Sequence, residues 1–163
     1  MTNGMNILSL LEQNARLTVA QLALMTGETE DAVAKKIDEY TAKGVICGYR
    51  AVINWEKAGR ESIQAFIRIK VTPQPDQGFE AVARQIMTMP EVDSVYLVSG
   101  SYDMSLTMSA KNLRDVAHFV SARLSPLDAV TSTDTTFVLE RYKEGGVCFL
   151  EDSDTNEKRE VIL

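Results

Sequence analysis

At Gly44 the hydrophobic period of the chain changes, and that change limits the folds open to it. Before Gly44 the apolar residues recur at helical spacing; after it they alternate. Ile7, Leu8, Leu10 and Leu11 make one stripe between Asn6 and Asn14. Thr18 and Gln21 form a capping-box pattern ahead of Val19, Leu22, Ala23 and Met25, and Gly27 is placed to end that second helix. Thr29 caps a third helix, with Val33, Ile37 and Tyr40 on one face and Gly44 at its end. Three short helices, the last two joined by a tight glycine turn, predict a helix-turn-helix. The alternation of Val45, Cys47 and Tyr49, then Ala51 and Ile53, around Gly48 predicts two short strands forming a wing. This winged domain is assigned to residues 1–53, and the polar stretch NWEKAGR falls in a linker over 54–61, with Trp55 expected to pack at the junction.

A second unit is expected over 62–147. Ile63, Ala65, Ile67, Ile69 and Val71 alternate with Gln64, Phe66, Arg68 and Lys70, a strand pattern that stops at Pro73, Pro75 and Gly78. Phe79, Val82, Ala83 and Ile86 follow at helical spacing up to Pro90. Strands are read at Val92–Val98, Met104–Met108 and Thr131–Leu139, and between the last two Leu113, Val116, Ala117, Val120 and Leu124 mark a helix capped by Asn112. The order βαββαβ predicts an antiparallel ferredoxin-like sandwich, so the fold class is α+β. The face away from the helices is read as carrying Phe66, Tyr96, Val98, Thr133, Thr135 and Phe137, a mixed surface that predicts self-association. Residues 148–163 are read as an acidic, solvated tail.

Between the second and third strands lies SGSYD. A bare hairpin needs only Asn-Gly or Asp-Gly, whereas this turn presents Ser99, Ser101, Tyr102 and Asp103 together around Gly100. Such groups suit the ammonium and carboxylate of a small zwitterion; they also make a solvated turn, in which Asp103 would accept backbone N–H groups.

Charge and motifs exclude several classes. The net charge of -6 opposes indiscriminate nucleic-acid binding, yet residues 1–60 hold seven Lys/Arg against seven Asp/Glu and are the least acidic part. Cys47 and Cys148 match no metal spacing and read as free thiols in a reducing, cytoplasmic compartment. No segment has the length or apolarity of a membrane span, and no secretory leader opens the chain. The single histidine, His118, has no triad or metal partners in the sequence, and no nucleotide-binding glycine loop occurs, so neither catalysis nor a cofactor is expected.

The winged helix, the linker and βαββαβ, carried by ARLTVAQLALMTG, KGVICGYRAVIN, PEVDSVYLVSGSYDMSL and VTSTDTTFVLERYK, resemble the leucine-responsive regulatory protein/asparagine-operon regulator (Lrp/AsnC) family over nearly the whole chain. Gly100, Tyr102 and Asp103 match that family's G-x-[aromatic]-D signature. The resemblance implies a transcription factor that dimerises through sheets and linkers, assembles further to tetramers or octamers, and binds an amino acid or related effector. Its implied effector residues are Ser99, Gly100, Ser101, Tyr102, Asp103, Thr133 and Asp134. Its implied partner is double-stranded DNA, with Thr29, Ala34, Lys35, Lys36, Lys43 and Arg50 as candidate contacts. The third helix nevertheless opens with Glu28, Thr29, Glu30 and Asp31, which favour the helix dipole and repel phosphate. The competing reading is a sensing module that acts through a protein partner with a helix-turn-helix that has lost DNA binding.

Overall fold

The computed structural model describes residues 6–72 and 78–149, and the chain divides between Ile53 and Asn54 into two units. The first unit holds α1 (Ile7–Gln13), α2 (Val19–Thr26) and α3 (Glu30–Ala42). Each start is fixed by a side chain that accepts an otherwise unpaired N–H. Asn6 takes Leu8 N–H at 3.1 Å, Thr18 takes Gln21 N–H at 3.2 Å while Gln21 Oε1 takes Thr18 N–H at 2.9 Å, and Thr29 takes Ala32 N–H at 3.3 Å. Between α2 and α3, Gly27 adopts φ 73°, which a residue with a Cβ rarely tolerates, and both Gly27 and Glu28 donate to Ala23 O. That reversal sets α3 across α2 around a core of Ile7, Leu10, Leu11, Leu22, Ala23 and Val33.

The wing does not form. Residues 45–53 pair with no strand, and Val45 and Tyr49 are 54% and 55% exposed. Alternation makes a segment competent to be a strand, but a strand also needs a neighbour for its backbone groups, and this unit offers none. Trp55–Gly59 instead closes a compact turn in which Arg60 N–H donates to Trp55 O at 2.9 Å and the Arg60 guanidinium lies 4.9 Å from the Trp55 ring centre.

The second unit contains β1 (Ile63–Val71), α4 (Gly78–Met87), β2 (Val92–Leu97), β3 (Met104–Ala110), α5 (Leu113–Phe119), a π-helical turn (Val120–Leu124) and β4 (Val130–Phe137). The strands form one antiparallel sheet in the order β2-β3-β1-β4, the ferredoxin-like arrangement. Ala65, Ile67 and Ile69 of β1, Met104, Leu106 and Met108 of β3, and Val82, Ile86, Val116, Phe119 and Leu124 of the helical segments share its core. Burial of each large aliphatic among them contributes about 1.5 to 3 kcal/mol. The expected single helix after Asn112 widens into the π turn, closed by Ser125 N–H on Val120 O at 2.8 Å, and both Phe119 and Leu124 stay buried.

Register corrects the reading of the open face. Ala65 pairs with Phe137, Ile67 with Thr135 and Ile69 with Thr133, so Thr133, Thr135 and Phe137 point to the helix-covered side. Their neighbours Ser132, Asp134 and Thr136 lie on the open face with Phe66, Arg68 and Lys70. Because the side-chain period of a strand is two, choosing the wrong parity moves every side chain to the other face. A further hairpin, β5 (Lys143–Glu144) with β6 (Val147–Cys148), follows the sheet across Gly145 and Gly146. Cys148 therefore belongs to a strand rather than to the start of the tail. The predicted strand end at Pro73 and Pro75 and the tail from Glu151 lie outside the described residues.

Candidate DNA surface and effector site

On α3 the core-facing positions are Val33, buried, with Ile37 and Tyr40 half-buried, while Lys35 and Lys36 are exposed and Ala34 is half-buried. Of the four basic side chains among the candidate contacts, Lys35, Lys36, Lys43 and Arg50, two are occupied by acids within the unit. Lys36 Nζ lies 2.5 Å from Glu28 Oε2, and Lys43 Nζ lies 3.5 Å from Glu39 Oε2. The hydrogen bond to Glu28 raises the Lys36 pKa above the ordinary lysine value, so the stabilisation from this pair persists below that value and is lost as pH rises through the raised pKa. Thr29 serves as the helix cap, and Glu30 and Asp31 occupy the first turn, where they complement the helix dipole. Lys35 and Arg50 are in no ion pair among the described residues.

In the second unit the segment between β2 and β3 is tied at both sides. Val98 N–H donates to Asp103 O at 2.9 Å, and Asp103 N–H donates to Ile69 O at 3.0 Å. Ser99, Gly100 and Ser101 are exposed, Tyr102 and Asp103 half-buried, and Gly100 has φ 148°. The Asp103 carboxylate turns inward to accept the Val71 N–H at 2.8 Å. β3 pairs with β1 only as far as Met104 opposite Ile69, so the donor two residues further along β1 has passed the end of its neighbour. Asp103 supplies the acceptor the strand lacks.

Beside the candidate residues lies one that the sequence reading did not name among them, Arg68. It lies directly opposite Asp134 on the open face, donates to Asp134 Oδ2 from Nε at 2.9 Å and also from Nη2, and its guanidinium carbon sits 5.2 Å from the Tyr102 ring centre. It thus joins Tyr102 of the turn to Asp134 of β4. Thr133, named beside Asp134, faces the opposite side. The signal for Arg68 was its place as a cation on the polar side of a strictly alternating strand, but its partners depend on a register that sequence does not display. His118 is exposed, and Cys47 and Cys148 are free and exposed.

The second unit matches the model of the Lrp/AsnC ligand binding domain over residues 64–148. The chain is 41% identical over 157 residues to the HTH-type transcriptional regulator YugG of Bacillus subtilis (strain 168), covering 96% of this chain and 93% of that protein. The chain belongs to the Lrp/AsnC family of transcriptional regulators. The leucine response regulatory protein LrpA of Mycobacterium tuberculosis superposes with a TM-score of 0.70 at 27% identity, over 84% of this chain and 90% of that one. The transcriptional regulator NMB0573 of Neisseria meningitidis, solved as an L-Met complex, superposes with a TM-score of 0.67 at 25% identity, over 83% and 86%. As an Lrp/AsnC protein the chain is a regulator with a carboxy-terminal ligand-binding domain rather than an enzyme. In this Lrp/AsnC chain, no helix among the described residues is long and apolar enough to cross a membrane.

Proposed function

We propose that the protein is a cytoplasmic regulator that binds operator DNA through Thr29, Ala34, Lys35, Lys36, Lys43 and Arg50, as a homodimer or an assembly of dimers. Its effector is a small amino acid seated at Ser99–Asp103, next to Asp134. The observation that carries the effector reading is the Arg68 bridge, because it sets a guanidinium, a carboxylate and a phenol beside three exposed turn residues. Asp134 engages Nε and Nη2 of Arg68 through one oxygen, which leaves Nη1 donors for a ligand carboxylate. Asp103 is the acceptor for a ligand ammonium, with the Asp134 carboxylate beside it as a second negative charge. The L-Met in the NMB0573 complex supports this class of effector.

A thermal-shift screen of the twenty amino acids followed by titration calorimetry tests the reading. A ligand present at a hundred times its Kd stabilises by about 2.7 kcal/mol, a shift of several degrees for a unit of this size. Arg68→Ala is expected to weaken binding of any hit about tenfold, the consequence of losing a charge-assisted hydrogen bond. No shift with any amino acid removes the effector class. A hit that binds Arg68→Ala as tightly as the wild type removes Arg68 from the site.

A further inference from the structure

The contact between Glu28 and Lys36 is not a local helix pair. Helix-surface neighbours are three or four residues apart, whereas these two are eight apart, and Glu28 lies in the turn before α3 begins. The carboxylate reaches Lys36 because the turn places it there: Gly27 takes its left-handed conformation, and Glu28 N–H is held on Ala23 O at 3.1 Å. A carboxylate oxygen 2.5 Å from the ammonium takes the kind of charge-assisted hydrogen bond that a phosphate oxygen would otherwise accept. Glu30, Asp31, Asp38 and Glu39 of the same helix add further negative charge, so Lys36 has few ways to be released by general electrostatic attraction.

We infer that Glu28 is a specificity-determining residue of the DNA-binding unit: it holds the Lys36 ammonium in place of a phosphate, so that Lys36 contributes little on arbitrary sequence and engages only where the fit of α3 to a site draws it away. This rests on the reading that α3 faces DNA. Each cation that neutralises a phosphate steepens the dependence of log affinity on log salt by about 0.9. Releasing Lys36 therefore has a defined signature.

The test is a two-residue cycle, Glu28→Gln, Lys36→Gln and both together, measured by fluorescence anisotropy on a 30-base-pair duplex of scrambled sequence (an arbitrary probe of about three helical turns) across a salt series. Glu28→Gln is expected to tighten binding about tenfold at low salt and to steepen the slope by about one. Lys36→Gln is expected to weaken the wild type about twofold but the Glu28→Gln protein about tenfold, the non-additivity that marks coupled residues. Equal losses from Lys36→Gln in the two backgrounds, or no gain from Glu28→Gln, overturn the inference. Wild-type protein that binds no duplex at any salt overturns instead the reading that this unit contacts DNA, and Glu28 loses its role with it.

Discussion

Asp103→Ala is expected to lower the melting temperature of the second unit sharply and to weaken effector binding about tenfold. The Val71 N–H loses its charged acceptor, at 2.8 Å in the native protein, and no strand residue is placed to replace it. Losing a hydrogen bond to a charged group costs about 1.5 to 3 kcal/mol. For a unit of this size each kcal/mol lowers the melting temperature by about 4 to 8 °C. Asp103→Asn separates the two roles, because an amide oxygen still accepts the Val71 N–H while the charge that attracts an ammonium is gone. The asparagine variant is expected to melt close to the wild type yet keep the tenfold loss in ligand affinity. If it recovers both, Asp103 belongs to the fold alone, and the ligand ammonium is held elsewhere in the cluster.

Phe66→Asp is expected to raise the dimer dissociation constant by a factor of about a thousand. Phe66 is 45% exposed at the centre of the open sheet face, between Thr107 of β3 and Thr136 of β4, and Tyr96 is 58% exposed on the same face of β2, beyond β3. Large aromatics left open in this way on a folded unit mark an association surface. In a two-fold interface the substitution occurs twice, so a loss of about 2 kcal/mol per copy gives roughly 4 kcal/mol, or three orders of magnitude. Sedimentation velocity over a dilution series reads this directly. A variant that remains as tightly associated as the wild type places the interface away from this face.

The parts of this architecture that were legible in the sequence are those fixed locally. Thr18, Thr29 and Asn112 each cap the helix they precede, and the alternation of Ala65, Ile67 and Ile69 matches a strand on which all three are fully buried. The errors arose where a segment's structure depends on a partner. Val45 to Ile53 has the alternation of strands but no neighbour within its unit, and the threonine-rich pattern of β4 does not say which of its two faces turns to the helices. The β5–β6 hairpin is two residues per strand, too short for any periodicity, although Gly145-Gly146 is itself a hairpin-turn signal. At the candidate site, the hydroxyls and carboxylate of SGSYD stood out by composition. Arg68 did not, because its meaning lies in a cross-strand pairing with Asp134, sixty-six residues away.

An amino acid bound at Ser99–Asp103 is expected to alter the affinity of the helix-turn-helix for DNA. That coupling is tested most directly by fluorescence anisotropy on a duplex from the protein's own upstream region, with and without a saturating concentration of whichever amino acid gives the largest thermal shift. Coupling between two sites commonly amounts to about 1 to 3 kcal/mol, so the Kd for DNA is expected to change at least fivefold, in either direction. An affinity that is the same with and without that amino acid, while the amino acid demonstrably binds, would show that the ligand site and the helix-turn-helix are not coupled.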